Sequence, residues 1–377
     1  MKILNILSDS NIGGAGRLLV HYLRNFDRAR FDGWVALPKG SALIPAVRET
    51  GFPVIELEYG ADQSWDRRSV GELRRVIREL RPDIVHCHSS LSGRVAAWLE
   101  RVPGRFYTRH SVFPPSKKLT TFPGKQLNGL LNRVLSTDIV AVAEAAKKNL
   151  TDTGVPADMI TVIINGVEPL REVTPAECEA LRDALGVGRD DFVCGIVARL
   201  EDYKGHSYLL ESAKAVLAAH PATDFLIVGD GSQADALKKQ AADLGITGNV
   251  LFTGFTDDVA PYYGIMDLNL NCSWGTEATS LALAEGMSAG VPAVATTYGG
   301  NPCMIEDGVN GLLVPEKDPD AMAAAILSLI DDPARLADLS AAARRVYAEK
   351  FTARAMTEQL EAMYERRGGM RGERGFL

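Results

Sequence analysis

Short hydrophobic runs recur along the chain, each closed by turn-forming residues and followed by a longer stretch with apolar positions at helical spacing. The first series occupies residues 2–7, 34–38, 54–58, 83–88, 106–110, 139–143 and 160–164. A polar, acid-rich stretch around 168–190, carrying Pro169 and Pro175, interrupts it. A second series follows at 192–198, 224–228, 250–254, 268–272, 293–297 and 312–315. Strands that alternate with helices specify βα repeats and a largely parallel sheet. The expected fold is α/β, two doubly wound domains facing a cleft, with ligands at the carboxyl ends of the strands. The boundaries read as 1–170, 171–353 and 354–377. The last segment holds a polar helix over 354–367, expected to cross back to the first domain, and a tail from 368 expected to be mobile.

With 377 residues, 46% of them hydrophobic, the chain can fill two cores. No apolar run approaches the roughly 20 residues that span a bilayer, and the start Met1-Lys2-Ile3-Leu4 does not read as a separable signal peptide, so a cytoplasmic protein is expected. Cys87, Cys178, Cys194, Cys272 and Cys303 are scattered and odd in number, which suits reduced core residues. The net charge of -7 is unevenly placed: residues 1–170 carry 23 Lys and Arg against 17 Asp and Glu, the remainder 18 against 31. A basic first half suits an anionic surface or acceptor, and the acidic second half argues against nucleic-acid binding by the whole chain.

The densest chemical signal is Glu277-Ala-Thr-Ser-Leu-Ala-Leu-Ala-Glu285. A helix is expected over 280–289, capped by Thr279 or Ser280, with Glu277 on the preceding loop and Glu285 inside the helix. Such a helix start offers N–H groups and partial positive charge to a phosphate, while the carboxylates can accept from hydroxyls on either side. The strand at 192–198 ends in Arg199-Leu200-Glu201-Asp202-Tyr203-Lys204-Gly205, and two cations at a strand end can clamp a diphosphate. Gly229 and Gly231 fit either a close backbone approach to a ligand or an ordinary βα turn. Gly13-Gly14-Ala15-Gly16-Arg17 opens the first helix as a phosphate-holding turn or a simple tight one, without the Gly-Lys-Ser/Thr of a P-loop.

His86, His88 and His110 end consecutive strands. The first two share a strand face that a metal could exploit, but the sequence places no third ligand there, and packing with hydrogen bonds explains them as well. Asp318-Pro319-Asp320 reads as a helix cap with proline at the first helical position, not a metal site. Between Ser111 and Thr137 lie Lys117, Lys118, Lys125 and Arg133 and no acid. Residues 125–135 form either a basic amphipathic helix on anionic lipid or a core-facing helix with a basic outer face.

The glutamate pair, the Arg199-to-Lys204 stretch and Val228-Gly229-Asp230-Gly231 resemble the retaining glycosyltransferases of family 4, also called glycosyltransferase group 1, which have the GT-B fold of two Rossmann-like domains. Val140-Ala141-Val142-Ala143-Glu144 and Gly299-Gly300-Asn301-Pro302 extend the likeness. The resemblance implies a metal-independent hexosyltransferase without a cofactor. It would move a sugar from a nucleoside diphosphate sugar, a UDP-sugar by preference, to a glycan or lipid-linked acceptor in cell-envelope or capsular polysaccharide synthesis. It assigns the leaving diphosphate to Arg199 and Lys204, the hexose to Glu277 and the ribose to Glu285. Gly229, Gly231, Thr279, Ser280 and Leu281 join the donor site, with Gly14 across the cleft. His110 falls near the sugar's C6 hydroxyl, so His110, Glu277, Arg199 and Lys204 form the catalytic set. Arg17, His88, Lys117, Lys118, Lys125 and Arg133 are assigned to the acceptor or to an anionic membrane on whose inner face the protein sits peripherally. The chain departs from the family pattern at Thr279-Ser280, where Phe-Gly is commoner, and at Cys303. A GT-B nucleotide-sugar epimerase and a degenerate nucleotide-sugar-binding subunit are the alternatives.

Overall fold

The computed structural model describes residues 1–374, with side chains through 368. Every hydrophobic run forms a strand that starts within two residues of its expected position. The chain divides into two units, Met1–Gly166 together with the segment from Ala353, and Val167–Thr352.

In the first unit, β1 (Lys2–Leu7), β2 (Asp32–Pro38), β3 (Val54–Leu57), β4 (Ile84–His88), β5 (Gly104–Arg109), β6 (Asp138–Ala141) and β7 (Ile160–Val162) form one sheet. Its order is β3-β2-β1-β4-β5-β6-β7, and the pairings are parallel. Strand order reverses between β1 and β4, and there Leu7 pairs with His88, which pairs with Thr108. This register sets His88 level with the exits of both neighbours. One sheet face packs Leu4, Ile6, Val85 and Cys87 against Leu73, Ile77 and Ala96.

The terminal helix, Ala353–Arg374, belongs to this unit. Its Tyr364 is fully buried, edge-on to Phe31 and Phe106. Its Glu361 accepts from the Asp27 amide at 2.9 Å and pairs with Arg30 at 2.9 Å. The tail expected from 368 is helical to Arg374, and 375–377 lie outside the described residues.

In the second unit, β8 (Phe192–Val197), β9 (Thr223–Val228), β10 (Val250–Gly254), β11 (Leu268–Asn271), β12 (Ala293–Thr296) and β13 (Gly311–Val314) form a sheet of order β10-β9-β8-β11-β12-β13. These pairings are parallel too, and the order reverses between β8 and β11. Leu209, Leu210, Val216, Ile326 and Leu329 cover one face of the strands.

The polar stretch at 168–190 is more than a linker. It contains the Pro175–Leu185 helix, opened by a reciprocal capping box between Thr174 and Glu177 and closed by Gly186 in the left-handed conformation. All five cysteines are free, with Cys87, Cys194 and Cys272 buried. Asp318 caps its helix by accepting from the Ala321 amide at 2.9 Å.

Candidate functional site

Open α/β sheets present their ligand crevice where strand order reverses. In the second unit that point is formed by the loops after β8 and β11. The loop after β11 is pinned from below: Asn271 donates to Ser280 Oγ at 3.1 Å and accepts from the Ser273 amide at 3.1 Å, while Thr296 Oγ1 donates to Ser273 O at 2.6 Å. Gly299, at φ 63°, packs so closely on the Glu277 carbonyl that a Cβ has no room, and the Gly300 amide donates to that carbonyl at 3.2 Å. Glu277 is thereby fixed ahead of the Leu281–Ala289 helix.

Ser280 is the cap of that helix, accepting from the Leu283 amide at 3.3 Å. The amides of Leu281 and Ala282 have no intrahelical acceptor, which leaves the helix start suited to an anion. Thr279 and Glu285 are both 8% exposed, the latter one turn into the helix.

The loop after β8 brings its two cations to different places. Arg199 is exposed and donates to Tyr203 Oη at 2.6 Å. Lys204 closes a short turn, Asp202–Lys204, before Gly205, whose left-handed φ of 75° sets it against the Cys272 carbonyl where no Cβ fits. This contact seats Lys204 Nζ 2.7 Å from Glu277 Oε2, with side chains only 19% and 7% exposed. Ser273 Oγ donates to the same carboxylate oxygen at 3.0 Å. The sequence reading gave Lys204 and Glu277 separate partners. Here they are an ion pair, because opposite charges largely removed from water satisfy each other.

The glycines divide by cause. Gly229, at φ 139°, and Gly231 lie against the Ala198 and Leu200 carbonyls, so local packing already excludes a side chain at both. At Gly14, which begins the Gly14–Arg24 helix, a Cβ would meet no atom within 4 Å. Nothing in its own unit demands glycine there. Arg17 lies half-buried on the same helix.

In the first unit the strand ends assemble three imidazoles. His86 and His88 stack at 4.4 Å between centroids, and His88 and His110 at 5.2 Å. His86 bonds Tyr364 Oη and Thr108 Oγ1, each at 2.6 Å, and His88 Nδ1 bonds His110 Nε2 at 2.9 Å. Burial depresses all three, His86 to about 3 and His110 to about 4, with His86 and His110 adding to the depression of His88, so the group is neutral. His88, expected among acceptor contacts, is 5% exposed: its strand runs between β1 and β5, and Leu18, Leu19, Met356 and Leu360 line the small cavity beside the rings.

Lys117 and Lys118 lie on a short helix, Lys117–Thr120, and Lys125 and Arg133 on the Gly124–Leu135 helix. The core-facing alternative for the latter does not hold, since its leucines at 127, 130 and 131 point outward. Three supporting residues escaped the sequence reading: Tyr203, Ser273 and Tyr364. Tyr203 lies inside the cationic stretch and was in view; Ser273 and Tyr364 act through contacts that no local pattern encodes.

The sequence model described as "Glycosyl transferases group 1" matches residues 191–332, and that described as "Glycosyltransferase Family 4" matches 12–171. A UDP-Gal:alpha-D-GlcNAc-diphosphoundecaprenol alpha-1,3-galactosyltransferase of Escherichia coli is 28% identical over 278 residues, 71% of each chain. A D-inositol 3-phosphate glycosyltransferase of Rhodococcus opacus is 31% identical over 291 residues, 72% of this chain and 64% of its own. Among solved structures, HepE from Anabaena in complex with UDP-glucose superposes with a TM-score of 0.84 at 23% identity, covering 97% of this chain and 100% of that one. Two doubly wound parallel sheets with a helix start at the switch point define the GT-B architecture. The chain belongs to the family 4, or group 1, glycosyltransferases.

Proposed function

We propose that the protein transfers a hexose from a nucleoside diphosphate sugar, with a UDP-sugar favoured, to a glycan or lipid-linked acceptor of cell-envelope or capsular polysaccharide synthesis, retaining the anomeric configuration and using no bound metal. The observation that carries this is the Lys204–Glu277 pair beside the start of the Leu281–Ala289 helix. It puts a cation, a carboxylate and amides without an intrahelical acceptor within one short loop system. The donor preference draws support from the UDP-Gal in the name of the E. coli relative and the UDP-glucose bound to HepE, and the acceptor class from the diphosphoundecaprenol in that same name.

In this reading Arg199, Lys204 and the helix start offset the charge that builds on the diphosphate as the C1–oxygen bond breaks. The acceptor oxygen bonds to C1 on the same face, and its proton passes to a phosphate oxygen of the departing nucleotide. Glu277 holds sugar hydroxyls and Glu285 the ribose. His110 meets the sugar with Nδ1, since Nε2 is engaged with His88. One proton is shared in that bond, so the tautomer of His88 sets whether His110 donates or accepts.

Titration calorimetry with a panel of nucleotide sugars, followed by NMR of the product, tests the proposal. A UDP-sugar that binds and yields an anomerically retained product supports it. Isomerised free donor without acceptor identifies an epimerase, and binding with no turnover across many acceptors identifies a binding subunit.

A further inference from the structure

The Gly124–Leu135 helix turns Asn128, Gly129 and Asn132 toward its own unit and leaves most of its leucines outside. Its buried residues are Gly129, Asn132 and Leu135. Asn132 Oδ1 accepts from the Arg94 guanidinium at 2.7 Å, Asn128 donates to Thr153 O at 2.8 Å, and a Cβ at Gly129 would run into the Gly154 carbonyl. These contacts consume the face that a surface helix normally offers to water. The apolar face is left outside, with Leu127 62%, Leu130 61%, Leu131 45% and Val134 38% exposed, and Phe122 81% exposed just ahead of the helix. Of the fourteen exposed large hydrophobic side chains among the described residues, seven lie between Phe113 and Val134. Single exposed leucines are ordinary, whereas a cluster on one element marks a contact surface.

Charge selects the partner. Lys117, Lys118 and Arg133 are exposed and Lys125 half-buried, and no acid occurs from 111 to 137. Arg133 meets Asp158 at 3.8 Å, with both side chains exposed, a weak pairing. A second copy of the chain docked through this helix about a two-fold axis would set these cations against the same cations. An anionic bilayer complements both the charge and the apolar face. We infer that this face docks on an anionic lipid bilayer, with Phe122 and the leucines among the acyl chains and the four cations at the lipid phosphates. Twelve helical residues are too short to cross a bilayer but suffice to lie in its interface. The inference stands on the mounting of this helix and is independent of the transfer chemistry.

Vesicle co-sedimentation of the full chain tests it, with phosphatidylcholine alone and with about 30% phosphatidylglycerol added. Wild-type protein should bind the acidic vesicles and release in about 0.5 M salt. Replacing Lys117, Lys118, Lys125 and Arg133 with glutamine should cut partitioning by ~10³-fold, since each cation near such a surface is worth about fivefold. Leu127→Ser, Leu130→Ser and Leu131→Ser together should lose ~10-fold or more. Lys147→Gln with Lys148→Gln, outside the patch, should change nothing. If the triple serine variant does not fold, Phe122→Ser alone should still weaken binding. No binding at any acidic-lipid content overturns the inference, as does equal, salt-insensitive binding to neutral vesicles. So does a dimer in sedimentation velocity that the leucine substitutions dissolve while vesicles remain unbound.

Discussion

Glu277→Gln should tighten the binding of free nucleoside diphosphate while slowing sugar transfer. In the unliganded site Glu277 holds the Lys204 head at 2.7 Å, so an arriving diphosphate must share that cation with a carboxylate. A lysine head has three donors and can serve both, but the two anions then face each other across it at roughly 6 Å. At an effective dielectric of about 20, Coulomb repulsion at that separation is ~2.8 kcal/mol. With Lys204 19% exposed, solvent screening reduces this to about 1–2 kcal/mol. Glutamine keeps the shape, and its carbonyl can still accept from Lys204 and Ser273, while the repulsion goes. The expected result is five- to thirtyfold tighter UDP binding, measured by calorimetry at one fixed salt concentration. Turnover should fall by ~10²-fold, because an amide replaces the carboxylate proposed to hold the sugar. A variant that binds UDP tenfold more weakly would refute the reasoning, since it would mean that Glu277 holds Lys204 in place for the phosphate instead of competing with it.

Three other outcomes follow. Arg199→Ala and Lys204→Ala should each lower turnover by roughly 10²-fold, with wild-type activity unaffected by EDTA; wild-type rates in either variant, or a strict magnesium or manganese requirement, would remove the diphosphate clamp. Glu285→Ala should weaken free UDP and the intact donor alike, by ~10-fold for a lost charged hydrogen bond, and a loss confined to the sugar-bearing donor would show that the ribose assignment is wrong. Asp224, 5% exposed on β9, is pushed up to about 6 by burial and then by Asp191, so its ionisation opposes folding above pH 6 and the penalty fades as pH falls toward the ordinary carboxyl range. Asp224→Asn should therefore raise the thermal midpoint at pH 7.5, with a gain that shrinks toward pH 4, and a gain independent of pH would sink the explanation.

The strands were legible because a strand buried on both faces is a short apolar run between turn residues, and every such run in this chain is one. The Ser280 cap and the Asp318-Pro319 cap were legible for a similar reason, since capping acts within four residues. The Thr174 to Glu177 capping box is equally local, but it lies in a polar stretch whose helix has no fully buried apolar face to give it a periodic pattern. The Lys204–Glu277 pair spans 73 positions, and the bond from His86 to Tyr364 spans 278. Contacts of that range follow from sheet order, which strand pattern alone does not supply. Residues 125–135 show the same limit in another form: periodicity reveals two faces on the helix, but only the partners of Asn128, Asn132 and Gly129 decide which face turns inward.

The terminal helix bears on how the protein is made. Tyr364 and Glu361 belong to the same packed unit as Phe31, His86, Phe106 and Asp27, yet the whole Val167–Thr352 unit lies between them in the chain. At typical ribosomal speeds, synthesis of that intervening segment takes on the order of ten to forty seconds. Throughout this interval the nascent first unit lacks the tyrosine that closes over its aromatic residues and histidines, while the second unit, continuous in sequence, can complete its own sheet. The half of the protein synthesised first is thus the last to finish folding. A stop codon just upstream of Ala353 would leave its core open in every molecule made.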